Sequence, residues 1–529
     1  MMRIIHAIFF NLPALAGMAT ALILTGAALG MGMRRATRFL TVLLVVVLAL
    51  HALVFLSAAL AYVNFPYEGK SVVEGVTLYN AMSYLEGEQP YRPPGEAPFR
   101  SMVYPPVYEL ALAGVVAVLG PSLGGARLFS LLCVLATCGA AGWVVWRRTR
   151  NPMATAFGGL FFLCCYGICG HWMEQVRNDA LLAFLIVLGL HLAERTGTRG
   201  RLPVAGGIVL LLAVYTKQTA VLAPAAVTAW LWFRSRRRAV IWSGGFVAAA
   251  AAVFLGFEIW SGGWFAFYVL KVPASVGIEW DKYNLASTFF SWMWVVLAGA
   301  ALVAAPSLKA LFSGEAGGAE SEGDVGPWAL ALLFALPLCV LQSVKWGAAL
   351  NAFVPLAPIL GVLGGIAMAR FMRRFEEVSW ARTVLVAAAV MQLAMISYQP
   401  SLPGPADYRA QERMAEWVRA SWGDVFVSVF SSQAYLNGED YFGDNVPIGD
   451  LEKGGLWHGG ELVEKTKRGE FAVMILRPRA EPADLAKAVA ENYVGVERIS
   501  MRGTVGRWPY MEVYVPRGRE WRPSSDAAP

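Results

Sequence analysis

Charged residues are scarce in this sequence of 529 residues. They make up 15% of the chain, whereas about 25% is usual for soluble globular proteins. Hydrophobic residues make up 57%. This composition excludes an ordinary soluble protein of this length and predicts a polytopic membrane protein.

Cysteine is also sparse, and the polar C-terminal part of the chain has none. Each cysteine lies inside an apolar run, so the sequence does not indicate a disulfide framework. Cys165 and Cys169 have i,i+4 spacing, but no histidine or acid shares that face, and we interpret them as packing residues rather than metal ligands. The six cysteines are Cys133, Cys138, Cys164, Cys165, Cys169 and Cys339.

The charge that is present is mostly arginine in clusters. A net charge of +7 does not indicate nucleic-acid binding here, because the excess cations lie in short loops between apolar runs. Each cluster closes an apolar run of spanning length, which is typical of cytoplasmic ends. The polar segments between the runs are therefore expected on the outer face. The clusters are 34–38, 147–150, 195–201, 234–238 and 370–374.

Apolar runs of about 17–25 residues predict about twelve membrane-spanning helices. The first run is longer than the hydrophobic part of a signal peptide and lacks a clear cleavage signature, so we expect an anchor helix that stays. A further run at 105–120 is interpreted as re-entrant or interfacial, because a full crossing would invert the arginine pattern. The predicted spans are 4–30, 39–62, 126–146, 153–172, 179–194, 202–217, 219–233, 239–259, 286–305, 327–344, 349–369 and 380–398.

The predicted fold is an all-α polytopic membrane protein with a small C-terminal α/β domain on the outer face. A Pro/Gly-rich linker at 400–405 separates the two parts. In the C-terminal part, helices are predicted at 408–421 and 482–492, and strands at 425–429, 471–476 and 511–515. The predicted division is 1–38 for the anchor helix, 39–400 for the transmembrane domain with its first outer loop at 64–104, 406–516 for the soluble domain and 517–529 for a disordered tail.

Carboxylates at the outer helix junctions are candidates for chemistry. Glu68 and Glu74 follow a helix that surfaces, where a fixed carboxylate could take a proton from a hydroxyl or hold a divalent cation. A solvated loop acid explains either one equally well. Asp179 stands near Glu174 and Arg177 at the next junction, where a costly buried charge indicates a polar cavity. Alternatively, Asp179 is simply a helix N-terminal residue favoured by the helix dipole.

Cations at the outer boundary form a second group. Lys217 lies alone between two apolar runs. A cation at the outer boundary goes against the usual charge bias, and its ammonium is well suited to bind the phosphate of a substrate. A lysine that extends to the membrane surface is the alternative. Lys345 and Asn351 occupy a similar junction, and the segment 279–284 adds Glu279 and Asp281. Neither of the last two groups is specific by itself.

Taken together, these motifs resemble the GT-C superfamily of membrane glycosyltransferases that use polyprenyl-phosphate sugars. Bacterial relatives of the protein O-mannosyltransferases and the lipid A aminoarabinose transferases are the most similar in pattern. The resemblance covers roughly residues 39–400. The motifs that carry it are Glu74–Tyr79, Gly87–Arg92, Tyr104–Tyr108, Arg177–Leu181, Thr216–Thr219 and Asn351 before an apolar run.

The resemblance implies a GT-C-like catalytic domain and a set of roles. The catalytic acids would be Glu74, with Glu68 as its rival, and Asp179. This family often has Asp-Glu-Gly where this chain has Val73-Glu74-Gly75, so the choice between the two glutamates stays open. The residues expected to bind the donor phosphate are Lys217, Gln218 and Arg177, and those expected to bind substrate are Tyr104, Glu174, Lys345 and Asn351.

The implied activity is transfer of a sugar, with inversion, from a polyprenyl-phosphate donor to a lipid, glycan or protein acceptor at the outer face of a bacterial inner membrane. A phosphate leaves readily, so one base and one cation could suffice, with no certain cofactor and a divalent cation left open. The alternative is a transporter or lipid flippase. A transporter should show inverted repeats, and the sequence shows none.

Overall fold

The structure is a computed structural model that describes residues 32–69, 73–100, 102–313, 325–396, 402–457, 459–478, 482–501, 503 and 509–518. The predicted anchor span at 4–30 and most of the predicted tail at 517–529 lie outside the described residues. The division into domains stays a prediction.

A bundle of apolar helices forms the larger part of the molecule. Seven of the described helices are long and apolar enough to cross a membrane. The helices of this part are α1 (Met33–Val63), α2 (Glu74–Leu85, in the loop after α1), α3 (Val107–Leu119), α4 (Leu123–Thr149), α5 (Pro152–Cys164), α6 (Asp179–Gly197), α7 (Val204–Val214), α8 (Leu222–Arg234), α9 (Arg236–Trp260), α10 (Tyr283–Phe312), α11 (Gly326–Ser343), α12 (Leu356–Arg374) and α13 (Ser379–Met395).

The predicted count of twelve spans is not confirmed, because several apolar runs form short helices. At 1.5 Å per residue, the 11 residues of α7 reach about half of the roughly 30 Å hydrocarbon layer. Helix α5 likewise ends at Cys164, and the chain continues in turns up to Asn178. These early ends leave polar, non-helical backbone next to the bundle, which is tolerated where protein or a cavity covers it.

The arginine clusters meet at one end of the bundle, as expected if each marks the same end of a membrane span. Arg148 forms an ion pair with Glu194, and Arg238 donates a hydrogen bond to the Gly197 carbonyl at 3.1 Å. Arg373 donates to the Thr149 carbonyl. The loops that follow α4, α6, α8 and α12 therefore lie on the same side.

The C-terminal region, residues 405–518, contains a four-stranded mixed sheet. The strand order is β1-β2-β4-β3; β1 and β2 are parallel, and the other pairs are antiparallel. Val425 lies opposite Val473, and Met474 lies opposite Tyr514. The elements are α14 (Pro405–Arg419), β1 (Val425–Val427), α15 (Ser432–Tyr435), α16 (Asn445–Lys453), α17 (Gly460–Lys467), β2 (Val473–Leu476), α18 (Ala483–Asn492), β3 (Tyr493–Ser500) and β4 (Tyr510–Pro516).

Each helix and strand predicted for this region is present within a few residues, but the helices α15, α16 and α17 and the strand β3 were missing from the prediction. Strand β3 lies at the edge of the sheet and is mostly exposed, with an irregular register between Gly495 and Glu497. An exposed edge strand lacks the alternation of buried and polar residues that identifies a strand in sequence.

The C-terminal region packs on the first outer loop. The backbone N–H of Ser432 donates to Glu68 at 2.7 Å, and the Tyr435 hydroxyl donates to the Gly75 carbonyl at 2.9 Å. A Cβ at Gly75 would lie 2.8 Å from the Ser432 nitrogen, so glycine permits this close approach. The two polar segments therefore pack together as one structure at the end of the bundle opposite the arginine clusters.

Candidate active site

Asp179, Lys217, Arg177 and Asn351 form one polar network at the end of the bundle opposite the arginine clusters. The Lys217 ammonium donates to Asp179 Oδ1 at 2.7 Å. Asn351 Nδ2 and Arg177 Nε donate to Asp179 Oδ2 at 3.1 and 3.3 Å. Asp179 is fully buried. Lys217 is thus not a lone cation, and two cations around one carboxylate leave the network with a net positive charge.

A break in the helical backbone brings Lys217 to this network. Helix α7 ends at Val214, and Lys217 has extended backbone angles (φ −158°, ψ 129°) before a short 3-10 turn at Gln218–Val221. The Gln218 amide donates to the carbonyls of Val103 and Val269 at 2.6 and 2.9 Å. Both donors of Gln218 are therefore used to fix the loop, which places the lysine.

Two adjoining cavities open beside the network. The first, here called the lysine cavity, has a volume of about 440 Å³ and is lined by Lys217, Gln218 and Lys345 together with apolar residues such as Val269 and Leu270. The second, here called the polar cavity, has a volume of about 750 Å³. Its charged lining residues are Glu109, Arg177, Lys282, Asp450, Glu452, Lys453 and Arg477.

The two cavities share one wall. The ring of Tyr104 lies in this wall, with its centroid 5.3 Å from the Lys217 ammonium. This is within the range of a cation–π contact. The residues that line both cavities are Val103, Tyr104, Arg177, Trp346, Gly347, Ala348, Asn351 and Asp450.

Glu74 is held by Arg127, a residue that was not predicted from the sequence. The two side chains are fully buried and joined by two hydrogen bonds of 2.9 and 2.7 Å. The other donors of Arg127 bind the carbonyls of Tyr62, Phe65 and Tyr67 at 2.6–2.7 Å. All five guanidinium donors are thus used. A lone arginine inside a predicted span was the signal that could have revealed it.

The remaining contacts of Glu74 are also with protein. Its carboxylate accepts from the backbone N–H groups of Gly69 at 2.8 Å and Val176 at 3.1 Å. Glu74 therefore ties the first outer loop to the segment that precedes Asp179. Its predicted catalytic role stays a prediction, but these contacts favour a role in building the site.

Glu68 lies beneath the C-terminal region. Its carboxyl group is fully buried and accepts from the N–H of Ser432 at 2.7 Å and of Gly75 at 3.1 Å. Burial, aided by the neighbouring Asp444, raises the pKa of Glu68 to about 8, despite the two N–H donors. Within the described part of the chain, the residues that line the two cavities do not include Glu68 or Glu74.

The other predicted substrate residues are divided between the cavities and the core. Tyr104 and Asn351 line both cavities, and Lys345 lines the lysine cavity while it donates to the Pro273 carbonyl. Glu174 is buried and accepts a hydrogen bond from the Tyr166 hydroxyl instead of joining the Asp179 network. Six of the ten predicted site residues therefore line a cavity: Arg177, Lys217, Gln218, Tyr104, Lys345 and Asn351.

Asp450 is a cavity residue that the sequence analysis did not select. It lies on α16, is partly buried and belongs to the shared wall. No local pattern distinguishes it from the other acids of the C-terminal region, because only the packing of α16 against the bundle brings it to the cavities.

Among the residues that the structure describes, there is no group of three or more His, Cys, Asp or Glu side chains that could hold a metal ion. All six cysteines are buried and have free thiols.

We expect the thermal stability of the protein to fall as pH rises from about 5 to 8, in part through Glu68. Its pKa is about 8 in the folded protein, against 4.5 as its ordinary value. Across this interval the folded state keeps a proton that the unfolded state loses, so rising pH favours unfolding. At about 1.4 kcal/mol per pKa unit, the effect is worth a few kcal/mol.

Glu68→Gln removes this titration, so the melting temperature of the variant in detergent should depend less on pH than that of wild type. Glu86→Gln, which alters an exposed acid on the same loop, is the matched control and should retain the wild-type slope. An identical slope for Glu68→Gln and wild type would show that Glu68 ionises normally.

Solved structures share this arrangement of helices. The apo crystal structure of ArnT from Cupriavidus metallidurans matches over 88% of this chain and 97% of that chain, with a TM-score of 0.55 and 13% sequence identity. The chain has the GT-C fold. The resemblance drawn from the motifs is therefore confirmed at the level of fold.

Two further solved structures are similar. ArnT from Cupriavidus metallidurans bound to undecaprenyl phosphate matches over 88% of this chain and 97% of that chain, with a TM-score of 0.52 and 14% identity. The archaeal oligosaccharyltransferase AglB from Archaeoglobus fulgidus was solved in complex with an inhibitory peptide and a dolichol-phosphate. It matches over 87% of this chain and 74% of that chain, with a TM-score of 0.46 and 12% sequence identity. No family model and no curated protein matches the sequence.

Proposed function

We propose that this protein is a membrane glycosyltransferase that moves a sugar from a polyprenyl-phosphate donor to a lipid, glycan or protein acceptor. The observation that carries the proposal is the net-positive network of Lys217, Arg177 and Asp179 beside a cavity with apolar walls. An isoprenoid chain with a phosphate head group needs both properties at one place. The GT-C fold, shared with a structure bound to undecaprenyl phosphate, supports the same class of donor.

In this proposal the donor phosphate lies against Lys217 and Arg177 in the lysine cavity. Asp179, itself held by Asn351, fixes the lysine, so its charge is already in position when the phosphate becomes a leaving group. An acceptor oxygen attacks the anomeric carbon on the side opposite the phosphate, and a single displacement inverts the configuration. The apolar lining around Val269 and Leu270 takes the first isoprene units.

We also propose that the protein resides in a bacterial inner membrane with the site on the outer face. The arginine clusters that meet at the opposite end of the bundle support this orientation. The C-terminal region lies on the same face as the site because it contributes Asp450 and Arg477 to the polar cavity.

The experiment is to incubate the purified protein in detergent with a panel of polyprenyl-phosphate sugars and candidate acceptors, and to measure released polyprenyl phosphate. We expect acceptor-dependent release with at least one donor. A lipid-flipping assay in vesicles is the companion measurement. Flipping without release from any donor would replace the transferase proposal by the transporter or flippase alternative.

A further inference from the structure

The wall between the two cavities is where a donor and an acceptor would meet. If the donor phosphate lies against Lys217, the anomeric carbon is one bond away from the phosphate oxygen, at the boundary with the polar cavity. The acceptor must reach that carbon from the polar side. The group that takes its proton must therefore be close to both cavities.

Asp450 is the one carboxylate, among the described residues, that lines both cavities. Its helix, α16, is held in place from both sides. Leu451 is buried among residues that include Tyr91 and Val272, and Asp444 caps the helix by accepting from the Val446 N–H at 2.8 Å. Asp450 is thus presented by a fixed element.

Glu109 and Glu452 line the polar cavity but not the lysine cavity, and the two buried acids next to the cavities are bound by protein cations. Glu74 is bound by Arg127, and Asp179 is bound by Lys217, Arg177 and Asn351. By contrast, none of the described residues forms an ion pair with Asp450.

We propose that Asp450 is the general base that deprotonates an acceptor hydroxyl entering through the polar cavity. This inference rests on the proposed transferase function and assigns the acceptor side of the same site. The Asp450 carboxylate takes the hydroxyl proton as the acceptor oxygen forms a bond to the anomeric carbon. The bond from that carbon to the phosphate oxygen breaks, and its electron pair leaves with the polyprenyl phosphate beside Lys217. The proton on Asp450 later passes to water.

The lining of the polar cavity defines the acceptor class. Besides Asp450, side chains of both charge signs line this cavity: Arg177, Lys282, Lys453 and Arg477, together with Glu109 and Glu452. Such a surface suits a hydroxyl-rich, polar acceptor such as a glycan head group rather than an alkyl chain. The acceptor portion that enters this cavity is therefore a sugar or a comparably hydroxylated group.

The titration of Asp450 fits this role. Burial raises its pKa to about 7, which is close to the value at which a base is both ionised and able to hold a proton. In addition to the polar-cavity charges above, Lys217 and Lys345 face it from the lysine cavity. The segment Val272–Ser275, which packs against α16, carries no charged residue.

The test compares kcat/KM for wild type, Asp450→Asn, Asp450→Glu and the exposed control Asp440→Asn, with a donor that wild type uses. Asp450→Asn should lose about 10²–10⁴-fold in rate, while its affinity for polyprenyl phosphate stays unchanged. Asp450→Glu should recover part of the rate, and Asp440→Asn should match wild type. The wild-type rate should rise with pH to a plateau, with half of its maximum near pH 7.

Two results would overturn the inference. One is full activity in Asp450→Asn, and the other is a wild-type rate that does not change between pH 5.5 and 8.5. The pH profile needs no variant, so it remains informative if Asp450→Asn folds poorly. A wild-type protein that turns over no donor would instead count against the transferase proposal itself.

Discussion

Arg127→Met is expected to leave little stably folded protein. The substitution would remove the cation that pairs with the buried Glu74 carboxylate. It would also remove the hydrogen-bond donors to the carbonyls of Tyr62, Phe65 and Tyr67. Breaking a buried pair by removing one partner costs about 3–5 kcal/mol, and this pair adds three backbone acceptors. We expect a large loss of monodisperse protein in detergent and a melting temperature many degrees lower.

The matched control is Arg92→Met. Arg92 pairs with Glu88 at 3.3 Å, and its side chain is 33% exposed, so its removal should cost no more than about 1 kcal/mol. The double variant Arg127→Met/Glu74→Gln tests the reason. It should be more stable than Arg127→Met alone, because the uncompensated charge is gone. Normal stability of Arg127→Met would show that the pair does not hold the first outer loop to α4.

Lys217→Met is expected to weaken binding of the polyprenyl-phosphate donor about 10–100-fold, since a charge-assisted contact contributes about 1.5–3 kcal/mol. The fold should persist because Asp179 keeps hydrogen bonds from Arg177 and Asn351. The measurement is the dissociation constant for polyprenyl phosphate, together with the melting temperature of each variant.

Lys271→Met is the control for this prediction, because Lys271 is an exposed lysine in the neighbouring segment and should not affect donor affinity. Asp179→Asn completes the comparison. It should slow turnover more than it weakens binding, because Lys217 keeps its charge but loses the carboxylate that positions it. Equal donor affinity for Lys217→Met and wild type would remove Lys217 from the donor site.

Several parts of the candidate site were predictable because ionisable residues are costly at membrane depth. This rule selected Asp179 and Arg177, the charge bias of membrane loops selected Lys217, and the structure joins all three. It did not rank Glu68 against Glu74, and it could not reveal that Glu174 binds Tyr166 instead of Asp179. The rule identifies a residue that needs a partner, but it does not name the partner.

The sequence by itself determined where the apolar runs lie and which of their ends carry arginine, because the bilayer acts on every segment through its thickness and its charge asymmetry. Only the tertiary structure decided which residues meet at the end of the bundle opposite the arginine clusters. Lys217 and Asn351 are 38 and 172 residues from Asp179 along the chain. Asp450 reaches the same wall from the C-terminal region. Contacts over such separations depend on how helices of unequal length pack together, and no local pattern of residues records that packing.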